Sequence, residues 1–243
     1  MAECGFRELI DKFLDILFPP RCPGCGEVIS VNAKDVFCAE CRAKWEKHKK
    51  ENCRKCGQPL DKCWCGVPFD KNGVITNEYH LVQYDKMANT VIRNLLYNMK
   101  NYNRSIVSDT VAVEMYAELY PRVDYGNLII AYVPRSAMNI KRYGHDQSKN
   151  IAYSFAKIAE IDVADVLVNT GKANQKTLDP KQRRLNAEKS YHIINGAGKY
   201  IKDKTVILID DVLTTGATVT RCAHLLKWKG AKRVIVFTIA RTI

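Results

Sequence analysis

The sequence predicts an α/β chain: a parallel sheet flanked by helices, preceded by a small cysteine-rich zinc module. Three observations lead there. The runs Leu128 to Val133 (LIIAYV), Val206 to Ile209 (VILI) and Arg233 to Ala240 (RVIVFTIA) are apolar almost without interruption. Strands buried on both faces, as in a parallel sheet, read this way, whereas half-exposed strands alternate. Between these runs lie stretches with apolar residues at helical spacing, such as Val91, Ile92, Leu95 and Leu96. Finally, eight of the ten cysteines fall in pairs between Cys22 and Cys65.

With 243 residues, there is room for one ordinary domain and a small module. A hydrophobic content of 47% is enough for a core. No apolar run reaches membrane-spanning length, and the acidic start lacks a signal-peptide layout. The expectation is a cytoplasmic protein with no stable membrane insertion. The formal net charge of +12 points to an anionic partner, nucleic acid or polyphosphate, although a solvated basic surface is the plainer explanation.

Taken in order, residues 1–20 predict an amphipathic helix, with Phe6, Leu9, Ile10, Phe13, Leu14 and Leu17 on one side and Pro19-Pro20 as its stop. Glu8, Asp11 and Asp15 on that segment favour packing on a neighbouring domain over anionic lipid. Residues 21–66 hold the cysteine pairs. Cys22/Cys25 and Cys38/Cys41 are separated by twelve residues, and Cys53/Cys56 and Cys63/Cys65 follow. Four thiolates complete a tetrahedral zinc site with no open position, so such a site is structural. Cysteines in a cytosolic setting bind metal more often than they form disulfides. Sequential pairing gives two Zn2+ sites, the second with the tighter C-x-C bite. Arg42, Lys44, Lys47, Lys49, Lys50, Arg54 and Lys55 either contact nucleic acid or solvate the module.

Residues 67–243 form the main domain, entered through Val67-Pro68-Phe69. The sequence predicts a strand at His80 to Tyr84, a helix at Met87 to Met99, and a second helix at Ile106 to Tyr120 ended by Pro121. The strand Leu128 to Val133 runs into Pro134-Arg135-Ser136. Ligands of open α/β sheets bind outside the carboxyl ends of strands, so Arg135 is placed as an anion contact. A helix is predicted from Lys149 to Ile161. His145, just ahead of it, is a candidate base, or else a capping or surface residue. Asn174 to Lys189 reads as a mobile basic loop broken at Pro180 and running into a short polar helix, with Lys176, Arg183 and Arg184 available to close over polyphosphate. The last helix should end at Trp228 with Gly230 as its cap, before the final strand.

The densest chemistry lies in Thr205 to Thr218 (TVILIDDVLTTGAT). A buried strand ends in Asp210 and Asp211. Val212, Leu213, Thr214, Thr215, Gly216, Ala217 and Thr218 then turn into a helix. The hydroxyls and the N–H groups of a helix start make an anion cradle, and Gly216 admits backbone close to a ligand. Paired carboxylates accept hydrogen bonds from a diol and can hold Mg2+ through water. Phosphate cradle plus diol acceptor describes a sugar phosphate. A receiver domain also carries an Asp-Asp pair, but only about thirty residues follow this one. Neither a G-x-G-x-x-G nor a G-K-[ST] motif is present. The stretch resembles the PRPP-binding motif of type I phosphoribosyltransferases.

Over nearly its whole length the chain also resembles the ComF family. The residues that carry this are Leu17-Phe-Pro-Pro-Arg-Cys-Pro-Gly-Cys-Gly26, the cysteine pairs, Tyr143-Gly144-His145-Asp146-Gln147, the Gln175 to Asn186 block, and Ile209 to Thr218. Where this chain has Tyr143 to Gln147 the family usually reads Arg-Gly-Phe-Asn-Gln. The resemblance implies a double zinc ribbon ahead of a type I phosphoribosyltransferase-like domain. It further implies a bacterial cytoplasmic protein that supports single-stranded DNA uptake in natural transformation, alongside a DNA-uptake helicase or recombination proteins.

Two functions follow. In the first, the chain binds PRPP with Mg2+ and transfers phosphoribosyl with release of pyrophosphate. Thr214, Thr215 and Thr218 take the 5′-phosphate, Asp210 and Asp211 take the ribose diol and are the catalytic candidates, and Arg135, Lys176, Arg183 and Arg184 face the pyrophosphate. In the second, the fold is kept without catalysis as a nucleic-acid-binding adaptor, with Trp45, Trp64 and Tyr102 stacking on bases.

Overall fold

The structure, a computed structural model, describes residues 17–53, 56–60, 70, 73–85, 89–123, 125–171 and 179–242. The proposed helix of residues 6–18 lies outside them, apart from Leu17 and Phe18, which are exposed. The linker Val67 to Phe69 lies outside them as well.

Helix α1 (Ala39–Lys49) belongs to the cysteine module. The main domain follows with β1 (Asn77–Tyr84), α2 (Thr90–Asn101), α3 (Ser105–Leu119) and β2 (Leu128–Tyr132). Next come α4 (Ala137–Tyr143), α5 (Gln147–Ala159), β3 (Leu167–Asn169), α6 (Pro180–Ser190) and β4 (Tyr191–Ile193). The chain closes with α7 (Gly198–Ile201), β5 (Thr205–Leu213), α8 (Ala217–Trp228) and β6 (Arg233–Thr242).

The main sheet has the order β1-β6-β5-β2, and every pair in it is parallel. Its central strands, β6 and β5 as far as Ile209, are buried on both faces, as their apolar runs require. One face packs α2, α3 and α5 through Ile92, Leu95, Met115 and Phe155. The other packs α8 and the β3–β4 ribbon through Cys222, Ala223, Leu226 and Leu167. After β2 the chain returns along that strand's free edge, where Ile130 bridges Val163, whereas β5 pairs on its opposite edge. The boundary between β2 and β5 is therefore the topological switch point, where a crevice opens at the carboxyl ends. Pairing of β2 with β5 ends at Tyr132 and Ile209, so Asp210 to Leu213 overhang β2 and are held from the β6 side alone.

Pro180 does not break a helix but begins one. Asp179 caps α6, its carboxylate accepting from Gln182 N while Gln182 reaches back to Asp179 N. The missing proline N–H costs nothing at the first helical position. Likewise Pro121 sits inside a short 3-10 turn, Tyr120–Arg122, that continues from α3.

The cysteine module docks on the domain through a shared apolar cluster, in which Val36, Phe37 and Trp45 join Val91 and Ile92, and through polar contacts. Glu114 of α3 accepts from Arg42 Nη1 (2.5 Å), Trp45 Nε1 (2.6 Å) and Lys49 Nζ (3.1 Å), all on one face of α1. Trp45 is fully buried and stacks on Phe37, with ring centroids 5.8 Å apart. This corrects the expectation that Trp45 stacks on bases: its ring is spent on the domain interface. Trp64 lies outside the described residues, and Tyr102 is exposed. Asn94 of α2 donates to Gly24 O (2.7 Å), and Arg104 donates to Arg21 O (2.6 Å), which fix the first cysteine turn against the domain.

Candidate functional site: a sugar-phosphate crevice and a thiolate cluster

At the switch point lies a cavity of about 590 Å3. Its floor is Asp210, Asp211, Val212 and Leu213 from the end of β5. Thr214, Gly216, Ala217 and Thr218 form one wall at the start of α8. Gly216 adopts φ +83° as the N-cap, a conformation that a side chain would strain. Thr215 does not line the cavity; its Oγ1 accepts from Ala217 N at 3.4 Å within the loop. Pro134, Arg135 and Ser136, following β2, form the opposite wall.

The acids and Arg135 belong to one hydrogen-bonded network. Gln147 Nε2 donates to Asp211 Oδ2 (2.9 Å), and Gln147 Oε1 accepts from Arg135 Nη2 (2.7 Å). The guanidinium also donates to His145 O (3.1 Å). Asp146 caps α5 by accepting from Lys149 N, and it accepts from Arg135 N (2.7 Å) as well. Asp210 Oδ1 accepts from Ser148 Oγ (3.1 Å) and Asp211 N (2.9 Å). The two acids are thus inequivalent, one tied to Ser148 and the other to Gln147. Desolvation, and after it the neighbouring Asp211 charge, push Asp210 well above the usual carboxylate range.

His145 is not placed as a base. Its ring is buried, with Nδ1 2.9 Å from Tyr143 O and Nε2 2.8 Å from Met99 O. It clamps the α4–α5 turn to the end of α2. Lys176 lies outside the described residues. Arg183 and Arg184 stand on α6 and are not among the lining residues; Arg184 pairs with Glu188 at 3.2 Å.

Several lining residues were not anticipated. Tyr143 carries three cations about its ring: Lys100 (5.0 Å), Arg135 (5.1 Å) and Arg142 (5.3 Å). Asn139, Asn169, Asn186 and Ser190 complete the polar lining. Asn186 and Tyr143 lie in the blocks that carry the family resemblance; Asn139 and Asn169 have no sequence signal.

The second site is structural. The sulfurs of Cys22, Cys25, Cys38 and Cys41 all lie within 4.8 Å of one another. Cys25 and Cys38 are 3.7 Å apart, and tetrahedral zinc with bonds of about 2.3 Å sets sulfurs about 3.8 Å apart. Gly24 N points to Cys22 Sγ at 3.4 Å. The donor set fits Zn2+. Burial raises the Cys25 thiol to about 11 and Cys41 further, whereas at Cys22 burial is outweighed by backbone N–H groups and the thiol is lowered. Cys53 and Cys56 repeat the turn: Gly57 N bonds Cys53 O as Gly26 N bonds Cys22 O. Cys63 and Cys65 lie outside the described residues.

Among the described residues, no helix is long and apolar enough to cross a membrane. A family model of the double zinc ribbon domain matches residues 13–74, and one of the phosphoribosyl transferase domain matches residues 109–242. The chain is 26% identical over 241 residues to the competence protein ComFC of Streptococcus pneumoniae strain ATCC BAA-255 / R6, covering 91% of this chain and 100% of that protein. It is 24% identical over 199 residues to the DNA utilization protein YhgH of Escherichia coli O157:H7, covering 80% and 86%. A shorter match, 36% over 75 residues, is to the ribose-phosphate pyrophosphokinase of Haemophilus influenzae strain ATCC 51907, covering 31% of this chain and 22% of that protein. Among solved structures, the allosteric regulatory enzyme of purine biosynthesis matches 59% of this chain at 17% identity and a TM-score of 0.37; the chain spans 30% of its length.

Proposed function

From the premise that the chain belongs to the phosphoribosyl transferase domain family, with the double zinc ribbon of ComF proteins ahead of that domain, we propose that it binds PRPP with Mg2+ in the switch-point crevice and transfers phosphoribosyl to an acceptor. One observation carries this reading. The acid pair at the end of β5, the helix start of α8 and Arg135 converge on a single cavity. The N–H groups and hydroxyls of Thr214 and Thr218 suit a 5′-phosphate. Asp210 and Asp211 suit the ribose hydroxyls. Arg135, with Lys100 and Arg142 beside it, suits the pyrophosphate.

In transfer, the acceptor's lone pair forms the new bond at the anomeric carbon, and the bond to pyrophosphate oxygen breaks with its electron pair. Charge grows on the leaving oxygen, so fixed cations accelerate the step. When bound, Mg2+ would supply positive charge to offset that of the pyrophosphate. The Asp211 carboxylate, with Asp210 beside it, would hold the ion through water.

Titration of PRPP into zinc-loaded protein by calorimetry, with and without Mg2+, tests the reading. Micromolar, Mg2+-dependent binding that Asp211→Asn weakens is the expected result. Absence of binding sinks it.

A second, compatible reading has the protein handle single-stranded DNA in competence, as an adaptor if turnover is absent. The net charge of +12 and the relatives named for competence and DNA utilization favour it. Salt-sensitive binding of a labelled oligonucleotide is its test.

A further inference from the structure

Three cations of the zinc module are committed to its own acids and to Glu114. Arg42 pairs with Asp35, Glu46 and Glu114, Lys44 with Glu40, and Lys49 with Glu46 and Glu114. A different surface combines exposed cations with exposed aromatic rings. It lies at the amino ends of β5 and β6, the far end of the sheet from the crevice.

Two turns interlock there. Asp203 N donates to Gly230 O (2.9 Å), and Lys232 N donates to Lys204 O (2.8 Å). The first turn presents Lys199, Lys202 and Lys204; the second presents Lys227, Lys229, Lys232 and Arg233. Asp203 is the one acid within 198–204 and 227–233. Among the described residues, none of these seven cations is in an ion pair closer than 4.0 Å. Trp228 is 72% exposed and Tyr200 55% exposed. Lys229 Nζ sits 4.0 Å from the Trp228 ring centroid, which places a cation beside a stacking surface. A small polar cavity lined by Arg122, Asn127, Lys232 and Arg233 adjoins the turns.

We propose that this amino-end face binds single-stranded nucleic acid, with Trp228 and Tyr200 stacking on bases and the surrounding lysines contacting phosphates. The inference rests on the DNA-handling reading above and assigns it a surface. Exposed indole and phenol rings interleaved with cations are the chemistry that a single strand uses, because every base has a stacking face. A duplex hides those faces and is not selected by the rings.

The experiment is fluorescence anisotropy of a labelled oligothymidylate with the full zinc-loaded chain. Trp228→Ala is expected to weaken binding about 5- to 100-fold, and Trp228→Phe to keep most of it. The triple change Lys199→Gln, Lys202→Gln, Lys232→Gln is expected to flatten the salt dependence by about 0.7 in slope for each phosphate that the variant no longer neutralises. All these side chains are exposed, and unchanged circular dichroism, zinc content and PRPP affinity check that each variant folds. Wild-type binding that survives these changes, or that Lys44→Gln, Lys47→Gln, Lys50→Gln abolishes instead, overturns the assigned surface while leaving the DNA reading intact. No wild-type binding overturns both. Trp228-dependent binding to phosphatidylserine vesicles, with oligonucleotide affinity untouched by Trp228→Ala, would make the face a lipid contact and refute the proposal.

Discussion

Removing one carboxylate should loosen the cysteine module from the domain. In Glu114→Ala, Trp45 Nε1 loses its acceptor while the ring stays buried, which costs about 1–3 kcal/mol. Arg42 keeps Asp35 and Glu46, and Lys49 keeps Glu46 at 3.6 Å, so each loses only the modest worth of a partly solvated pair, about 0–1 kcal/mol. The sum is about 1–5 kcal/mol. Glu114→Gln retains an acceptor for the indole and should cost about 1 kcal/mol. Urea unfolding of the zinc-loaded protein measures the difference, and the rate of zinc capture by a chelator reports the module separately. Zinc should leave faster in Glu114→Ala than in Glu114→Gln. If Glu114→Ala unfolds within about 0.5 kcal/mol of wild type and releases zinc at the same rate, Glu114 does not hold the module and the reasoning fails.

Three further outcomes are expected. Asp210 is raised by its environment, so its neutral form is the one the fold favours; that contribution is complete below the ordinary carboxylate value and is lost as pH rises through the raised one. Asp210→Asn should therefore raise Tm at pH 7 while weakening PRPP binding, and the gain should vanish in acid; calorimetric scans across pH check the sign. A Cβ on Gly171 would overlap Ser190 Oγ and lie 2.8 Å from Ser190 Cβ, so Gly171→Ala should cost about 1–3 kcal/mol by denaturant titration and reshape the crevice wall. Cys41→Ser should lower the bound zinc by one ion per chain in metal analysis, with the second cysteine set retaining its own.

Strands β2, β5 and β6 were legible because burial on both faces leaves an unbroken apolar run, and Asp210 and Asp211 were placed by the rule that sites gather beyond strand ends. The β3–β4 ribbon was not legible: three residues per strand carry no periodicity. Helix α6 was half read, because a proline counts as a breaker unless the Asp179 cap in front of it is recognised. Trp45 and His145 were misjudged for one reason. Their partners, Glu114 and Met99 O, lie 69 and 46 residues away in the chain, and no local pattern encodes such contacts. Tyr143 gathers its cations from α2, α4 and the β2 loop, again a product of tertiary placement.

Because all four strands of the main sheet point the same way, the sheet sorts the turns of the chain into two separate populations. Turns that leave strands build the crevice, and turns that enter them build the basic face. The nine residues of β5 separate the two by about 30 Å. A nucleic acid held at one end would leave the other unobstructed, so on the proposed reading the two ligands would not compete. A base stacked on Trp228 is likewise out of reach of the anomeric carbon. An acceptor drawn from the same strand would have to be a nucleotide far along it, threaded around the molecule. Among the described residues, β2, β5, β6 and α8 all run between the two ends.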